Sequence, residues 1–139
     1  MIDSISLLVI YSFFIFTVII SCCTVGHKTK GELHVQDPWL FYIQNGMKKV
    51  EGRKGSKYLS WKGKVIEIYN DRTRFPVRVV ETILYPDLNT YLMTEDFKNA
   101  IPTARTIEQA TAIYHKFYTD ESIKLAGGMC ALRLEHVHY

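Results

Sequence analysis

Cysteine is scarce in this chain, and neither a repeat nor a low-complexity segment occurs in it. Of its three cysteines, Cys130 is the only one beyond residue 26, so that part of the chain holds no intradomain disulfide. No Cys or His spacing there is typical of a metal site. With 139 residues, of which 47% are hydrophobic and 22% charged, tandem domains, large barrels and a disordered chain are excluded.

Charge is missing from the first part of the sequence. The 23 residues from Ser4 to Gly26 carry none, and no Lys or Arg occurs before Lys28. Such an apolar run is long enough to cross a hydrocarbon layer about 30 Å thick. We expect residues 1–26 to form a transmembrane or signal-anchor helix, with residues 4–26 in the membrane. Lys28 and Lys30 then place the following domain in the cytoplasm by the positive-inside rule.

A cleaved signal or lipoprotein and, separately, a buried helix or a wrongly assigned start are the alternatives for this segment. Ile19 to Cys22 resembles a lipoprotein cleavage box, but the basic start that a secretory signal needs is absent. Residues 27–36 are expected to be a linker.

The periodicity beyond residue 36 predicts a mixed α+β domain. The expected elements are a helix capped by Asp37-Pro38 and ended by Asn45-Gly46, strands over 64–69 and 75–85 with a turn at 70–73, a helix from Thr94-Glu95-Asp96 to Pro102, a helix from the capping box at Thr106, and a last strand after Gly127-Gly128. Pro76 suggests that the long strand begins at a sheet edge. This order differs from a regular βαβ alternation and favours a small mixed barrel with packed helices.

Basic residues are concentrated in one stretch of the domain. Ten Lys and Arg residues lie between Lys48 and Arg78 with only three acids, which makes the stretch net +7. Such asymmetry indicates a polyanionic partner, and the interleaved Tyr58, Trp61 and Tyr69 are typical of stacking surfaces for unpaired bases. A solvated basic face and a surface resting on acidic lipid are the alternatives.

Residues 39–53 resemble the signature of the ASCH domain family. In that family a helix ends in Gly-x-Lys, here Gly46-x-Lys48, and Glu-x-Arg follows, here Glu51-x-Arg53. Pro102, the helix from Thr106 and the Phe117-Tyr118 pair resemble a second conserved stretch of the family. The final strand is similar to its closing strand, so the resemblance covers about residues 33–137.

The resemblance implies a PUA-like β-barrel with a cleft lined by Lys48, Glu51 and Arg53. It also implies action on RNA or nucleosides, as a binder or a small enzyme, and one branch hydrolyses N4-acetylcytidine. That branch has threonine at the position of Glu51 and uses a later carboxylate, for which Glu95 and Asp96 are the nearest candidates. A further departure is Lys64, where many members carry an acid.

The sequence therefore predicts a PUA-like, ASCH-like α+β domain over residues 37–139, after one transmembrane helix. We expect it to bind RNA or a nucleotide, without a metal or cofactor. The predicted binding residues are Lys48, Lys49, Arg53, Lys54, Lys57, Lys64 and Tyr118. In the alternative, an amidohydrolase acting on an N-acylated nucleoside, Lys48 and Glu51 are catalytic. The third possibility is a membrane-anchored adaptor whose basic face only rests on lipid. For Lys48, Glu51 and Arg53 the alternative to a binding or catalytic role is a structural ion-pair network that closes the barrel mouth.

Overall fold

A computed structural model describes residues 31–138 of the chain. The strands are β1 Glu32–His34, β2 Val50–Lys54, β3 Val65–Tyr69, β4 Arg74–Tyr85 and β5 Met129–His136. The helices are α1 Trp39–Gln44, α2 Leu88–Thr94, α3 Phe97–Ala100, α4 Ile107–His115 and α5 Asp120–Ala126, with a short 3-10 turn at Leu59–Trp61. The predicted α+β class is confirmed.

The five strands of this part of the chain form one curled sheet in the order β1-β3-β4-β5-β2. β1 runs parallel to β3, and the other neighbours are antiparallel. The sheet is a half-barrel, because β1 and β2 are its two edges and do not pair with each other. The gap between these edges is the feature that positions the site.

The last strand, β5, separates two apolar cores. Met129 and Ala131 face the core beneath the helices, whereas Cys130 and Leu132 face the inside of the half-barrel, and all four are fully buried. Strands buried on both faces are hydrophobic at every position rather than at alternate ones. Each large side chain removed from water here contributes roughly 1.5–3 kcal/mol to stability, so β5 helps to stabilise both cores.

Several predicted boundaries differ from the observed ones. α1 begins at Trp39, and the Asp37 side chain makes no capping hydrogen bond because Pro38 occupies the N-cap position. β1 lies inside the segment that was expected to be a linker. α2 was not predicted, although Asp87 caps it by accepting a hydrogen bond from the Thr90 N–H at 2.7 Å.

The remaining predicted elements are confirmed, with two refinements. Pro76 lies in the central strand β4 rather than in an edge strand, but it precedes Val77, where pairing with β5 begins. Thr106 caps α4 by accepting from the Gln109 N–H, whereas the Gln109 side chain accepts from Arg105 rather than from Thr106. The capping box is therefore half formed.

No helix within residues 31–138 is both long enough and apolar enough to cross a bilayer. The predicted membrane helix of residues 1–26 lies outside the described part of the chain.

Candidate functional site

A cleft of about 220 Å³ occupies the gap between the two sheet edges. Three groups of residues surround it: the end of β1 and the loop after it, strand β2 with the residue Lys48 before it, and the end of α4 with the two residues beyond. The lining residues used below are His34, Gln36, Trp39, Lys48, Glu51, Gly52, Arg53, Tyr114, Phe117 and Tyr118. We call this cavity the cleft.

Lys48, Glu51 and Arg53 converge on one wall of the cleft. Glu51 and Arg53 lie two residues apart on β2 and share a face, with the Arg53 Nε donating to Glu51 Oε1 at 2.8 Å. Lys48 precedes the strand, and its Nζ reaches Glu51 Oε2 at 3.2 Å. One carboxylate therefore holds two cations, with one oxygen for each.

Arg53 also ties the two edges of the sheet together. Its Nη2 donates to the His34 backbone oxygen at 2.6 Å, across the gap between β2 and β1. The Arg53 side chain is 21% exposed, and its Nη1 has no hydrogen-bond partner within residues 31–138. Part of the guanidinium is therefore free to meet a ligand in the cleft.

The Lys48 ammonium is saturated by the protein itself. Besides Glu51, it donates to the Val50 and Ala100 backbone oxygens, each at 2.7 Å, so all three of its N–H bonds have acceptors. Only 3% of the residue is exposed. Such a lysine fixes the start of β2 against α3 and has no free N–H to offer a substrate.

Burial and charge oppose each other in this network. Burial lowers the pKa of Lys48, and the Glu51 carboxylate only partly offsets that effect. Burial alone would raise the pKa of Glu51, but the charges of Lys48 and Arg53 and their hydrogen bonds hold it below its ordinary value. Glu51 is therefore an ionised, fully engaged carboxylate rather than a proton acceptor.

Aromatic side chains form the opposite wall of the cleft. Tyr114 is buried, Trp39 and Tyr118 are half-buried, and Phe117 is 48% exposed. Tyr114 lies at the end of α4 and Phe117 two residues beyond it, where the Phe117 N–H still donates to the Tyr114 oxygen at 2.9 Å, so the two rings lie on one side. Apart from Tyr118, these residues were not among the predicted binding residues. Their position beside the charged network makes them part of the site.

The other predicted binding residues are dispersed. Lys54 Nζ lies 5.4 Å from the Tyr118 ring centroid, at the rim of the cleft. Lys57 Nζ lies 4.8 Å from the ring centroid of Tyr58, its neighbour in the sequence. Lys49 lines a different cavity, and Lys64 follows the 3-10 turn just before β3, outside the lining of the cleft.

The basic stretch is also partly neutralised. Lys62 pairs with Glu81 at 2.9 Å, and Arg74 pairs with Glu32 at 2.9 Å. The aromatic residues that were predicted to stack on bases instead pack against neighbouring side chains. The Tyr58 and Trp61 rings meet edge to face, with 5.0 Å between their centroids. Arg74 covers the Tyr69 ring at 4.4 Å. The aromatic rings that share one cavity are therefore those of the cleft.

A larger cavity, about 670 Å³, lies on the other side of Lys48, and we call it the second groove. Its wall carries Glu95, which accepts from Tyr85 at 2.7 Å and from the Arg133 Nε at 2.9 Å. Asp96, the other candidate carboxylate, caps α3 and accepts from the Lys98 N–H. Neither acid lines the cleft. No Phe, Tyr or Trp ring lines the second groove, whereas four such rings line the cleft.

Within residues 31–138, no three His, Cys, Asp or Glu side chains lie close enough together to hold a metal ion. His136 and His138 both line the second groove, without a third ligand.

Two solved structures resemble this fold. The crystal structure of hypothetical protein PH0355 is 26% identical, has a TM-score of 0.67, and covers 77% of this chain and 98% of its own. The solution structure of protein PF0455 from Pyrococcus furiosus is 29% identical, has a TM-score of 0.61, and covers 78% of this chain and 97% of its own. No protein-family profile matches the chain, and no curated protein is similar to it.

The fold and the cleft together define a small α+β protein whose half-barrel is consistent with a PUA-like fold. The two similar structures are small archaeal proteins, covered over nearly their whole length. The likeness therefore concerns the domain as a unit.

Proposed function

We propose that this protein binds single-stranded RNA or a nucleotide by taking one base into the cleft. The observation that carries the proposal is the joint presence of aromatic faces and a partly free guanidinium in one cavity. Trp39, Phe117 and Tyr118 offer stacking surfaces, and Arg53 lies opposite them. Unpaired bases in RNA are recognised in this way, by stacking on aromatic side chains and by hydrogen bonds to their edges.

The size of the cleft favours a single base as its occupant. Its volume of about 220 Å³ is below the roughly 300 Å³ at which cavities for drug-sized ligands begin. The sugar and phosphate would then remain outside, where the half-exposed Lys54 lies over the ring of Tyr118 at the rim. Phosphate contacts of this kind add affinity without sequence preference.

The geometry supports binding better than hydrolysis. Lys48 has no free N–H, and both oxygens of Glu51 are engaged. A glutamate cannot replace the hydroxyl nucleophile of the amidohydrolase branch. The later carboxylate that such a mechanism needs is not supplied by Glu95 or Asp96, since neither lines the cleft.

Equilibrium binding of the full-length chain to a fluorescent single-stranded RNA octamer tests the proposal. The logarithm of the affinity should fall with the logarithm of salt, with a slope of about −0.7 for each phosphate neutralised. Replacing Phe117 by Ala should weaken binding about 5- to 150-fold, because stacking contributes about 1–3 kcal/mol per base.

Phe41→Ala is the matched control for this experiment. Phe41 is 57% exposed, close to the 48% of Phe117, but it lies on α1 outside the cleft. Its replacement should change the affinity less than twofold. Equal losses in the two variants, or no binding at low salt, would contradict the proposal.

We further propose that residues 4–26 tether the domain to a membrane. The support is the uncharged apolar run of the sequence. The full-length chain should sediment with membranes and resist extraction by high salt, which removes proteins bound only through charge. Release by salt would contradict the tether.

A further inference from the structure

The backbone of Gly52 points into the cleft. The Leu134 N–H donates to the Lys49 oxygen, and the Gly55 N–H donates to the Gly128 oxygen, each at 2.9 Å. Both bonds follow the uninterrupted antiparallel register of β2 with β5. Along an antiparallel pair of strands, every second residue exchanges backbone hydrogen bonds with the partner strand. The backbone groups of Glu51 and Arg53 therefore bond to β5. The N–H and C=O of Gly52, which lies between them, are directed away from β5 toward the gap.

These two groups lack partners within residues 31–138. Val50 shares the outward direction, but its oxygen accepts from Lys48. Gly52 is buried, lines the cleft, and receives no hydrogen bond from a loop, helix or side chain of the described chain. Buried backbone groups in folded proteins are almost always paired, with protein, water or ligand. An unpaired donor and acceptor side by side in a cavity therefore indicate a place for a ligand.

Two tyrosines place a third polar group beside Gly52. The Tyr91 and Tyr114 hydroxyl oxygens are 2.8 Å apart. Tyr91 is fully buried, whereas Tyr114 lines the cleft. If Tyr114 donated, the proton of Tyr91 would be left unpaired in the core at a considerable cost. On this argument Tyr91 is the donor, and the Tyr114 O–H, on a residue that lines the cleft, can turn toward a ligand there.

Glycine is what allows this arrangement. A Cβ atom at residue 52 would lie 2.5 Å from the Tyr91 hydroxyl and 2.7 Å from the Tyr114 hydroxyl. Any larger residue would push the tyrosines away from the backbone edge. The close approach thus brings one acceptor and two donors together on one side of the cleft.

From this geometry we infer that the cleft reads the Watson–Crick edge of an unpaired base through the N–H and C=O of Gly52, assisted by the Tyr114 hydroxyl. Each base carries a donor beside an acceptor on that edge, which matches the acceptor and donor of one backbone unit. The inference rests on the proposed function and specifies how the base lies. A peptide strand pairing with β2 is a poorer fit, because the Arg53 side chain crosses the gap to His34.

Methylated RNA tests this inference with the full-length chain. Three oligouridine octamers of equal charge are compared: unmodified, fully 5-methylated, and fully 3-methylated. Stacking tolerates any base, so oligouridine is a suitable probe. The 3-methyl group removes the ring N–H and blocks the Watson–Crick edge, and binding should weaken about tenfold or more. The 5-methyl group adds the same bulk away from that edge, and the affinity should change less than about threefold.

The outcomes separate the inference from the proposed function. Equal binding of the 3-methyl and 5-methyl octamers would overturn the inference and leave the binding proposal standing. No binding of any octamer at low salt would overturn both. Tyr114→Phe provides a second check, read as a ratio because the variant also removes the acceptor of the Tyr91 O–H. It should weaken unmodified oligouridine several-fold and leave the residual binding of the 3-methyl octamer nearly unchanged, whereas an equal loss for both octamers would count against the inference.

Discussion

Replacement of Glu51 by Gln should destabilise the domain severely. The change keeps the shape of the side chain but removes the one negative charge between Lys48 and Arg53. The Lys48 side chain is 2% exposed and that of Glu51 is 10% exposed, so solvent screens the remaining charges poorly. Lys48 would be left in the protein interior without a counter-charge.

The expected loss is about 3–5 kcal/mol, the cost of removing one member of a buried ion pair. Domains of this size are stable by only about 5–15 kcal/mol, so the variant would be close to unfolding at room temperature. Urea denaturation followed by circular dichroism measures the free energy of unfolding from the midpoint and slope.

Glu81→Gln is the control for this experiment. Glu81 also pairs with a lysine, Lys62, at 2.9 Å, but the lysine side chain is 59% exposed and that of Glu81 is 32% exposed. Exposed pairs contribute little to stability. Similar midpoints for the two variants would refute the reasoning that burial makes the Glu51 network structural.

Two other predictions concern acid and the backbone. The cations beside Glu51 outweigh the effect of burial and lower its pKa below the value of 4.5 in the unfolded chain. The ionised carboxylate therefore stabilises the fold fully above pH 4.5, and this contribution is lost as the pH falls through the lower pKa of the folded state. The free energy of unfolding should therefore fall more steeply with decreasing pH in the wild type than in Glu51→Gln. Equal slopes in the two proteins would contradict this role of Glu51. Gly128 has φ +124°, and an added Cβ would lie on the Tyr85 backbone oxygen. Gly128→Ala should cost at least about 2 kcal/mol in urea denaturation, more than Gly46→Ala, where φ is also positive but no atom is near.

Much of the charged network follows from local sequence rules. The period of two in a strand places Glu51 and Arg53 on one face, and the structure confirms this at 2.8 Å. For Lys48, strand alternation alone would predict the opposite face. It joins the network because a turn precedes β2, with the Lys48 N–H donating to the Tyr42 oxygen at 2.9 Å.

The gap that forms the cleft depends on sheet order, which local patterns do not encode. β1 has only three residues, too few to show an alternation, and it pairs with β3 across a long separation, Glu32 opposite Glu67. Once β1 is an edge, His34 and Gln36 lie beside the cleft instead of in a linker. The long-range pairing of β1 with β3 therefore places His34 and Gln36 at the site, and local sequence patterns do not predict that pairing.

α2 was missed for a local reason. Pro86 and Asp87 end the alternating pattern of β4. Asp87 is also the N-cap of the next helix, α2. The helix is seven residues long and contains Asn89, Thr90 and Thr94, residue types with modest helix propensity. Burial of Tyr91 and Leu92 against β5 and its neighbours stabilises it instead.

The most direct test of the central claim is to locate bound RNA on the protein. An octamer containing 4-thiouridine is cross-linked to the full-length chain by light, and mass spectrometry identifies the modified residues. Binding in the cleft predicts cross-links at Trp39, Tyr114, Phe117 or Tyr118. Cross-links confined to Trp61, Tyr69 or the second groove would contradict the account.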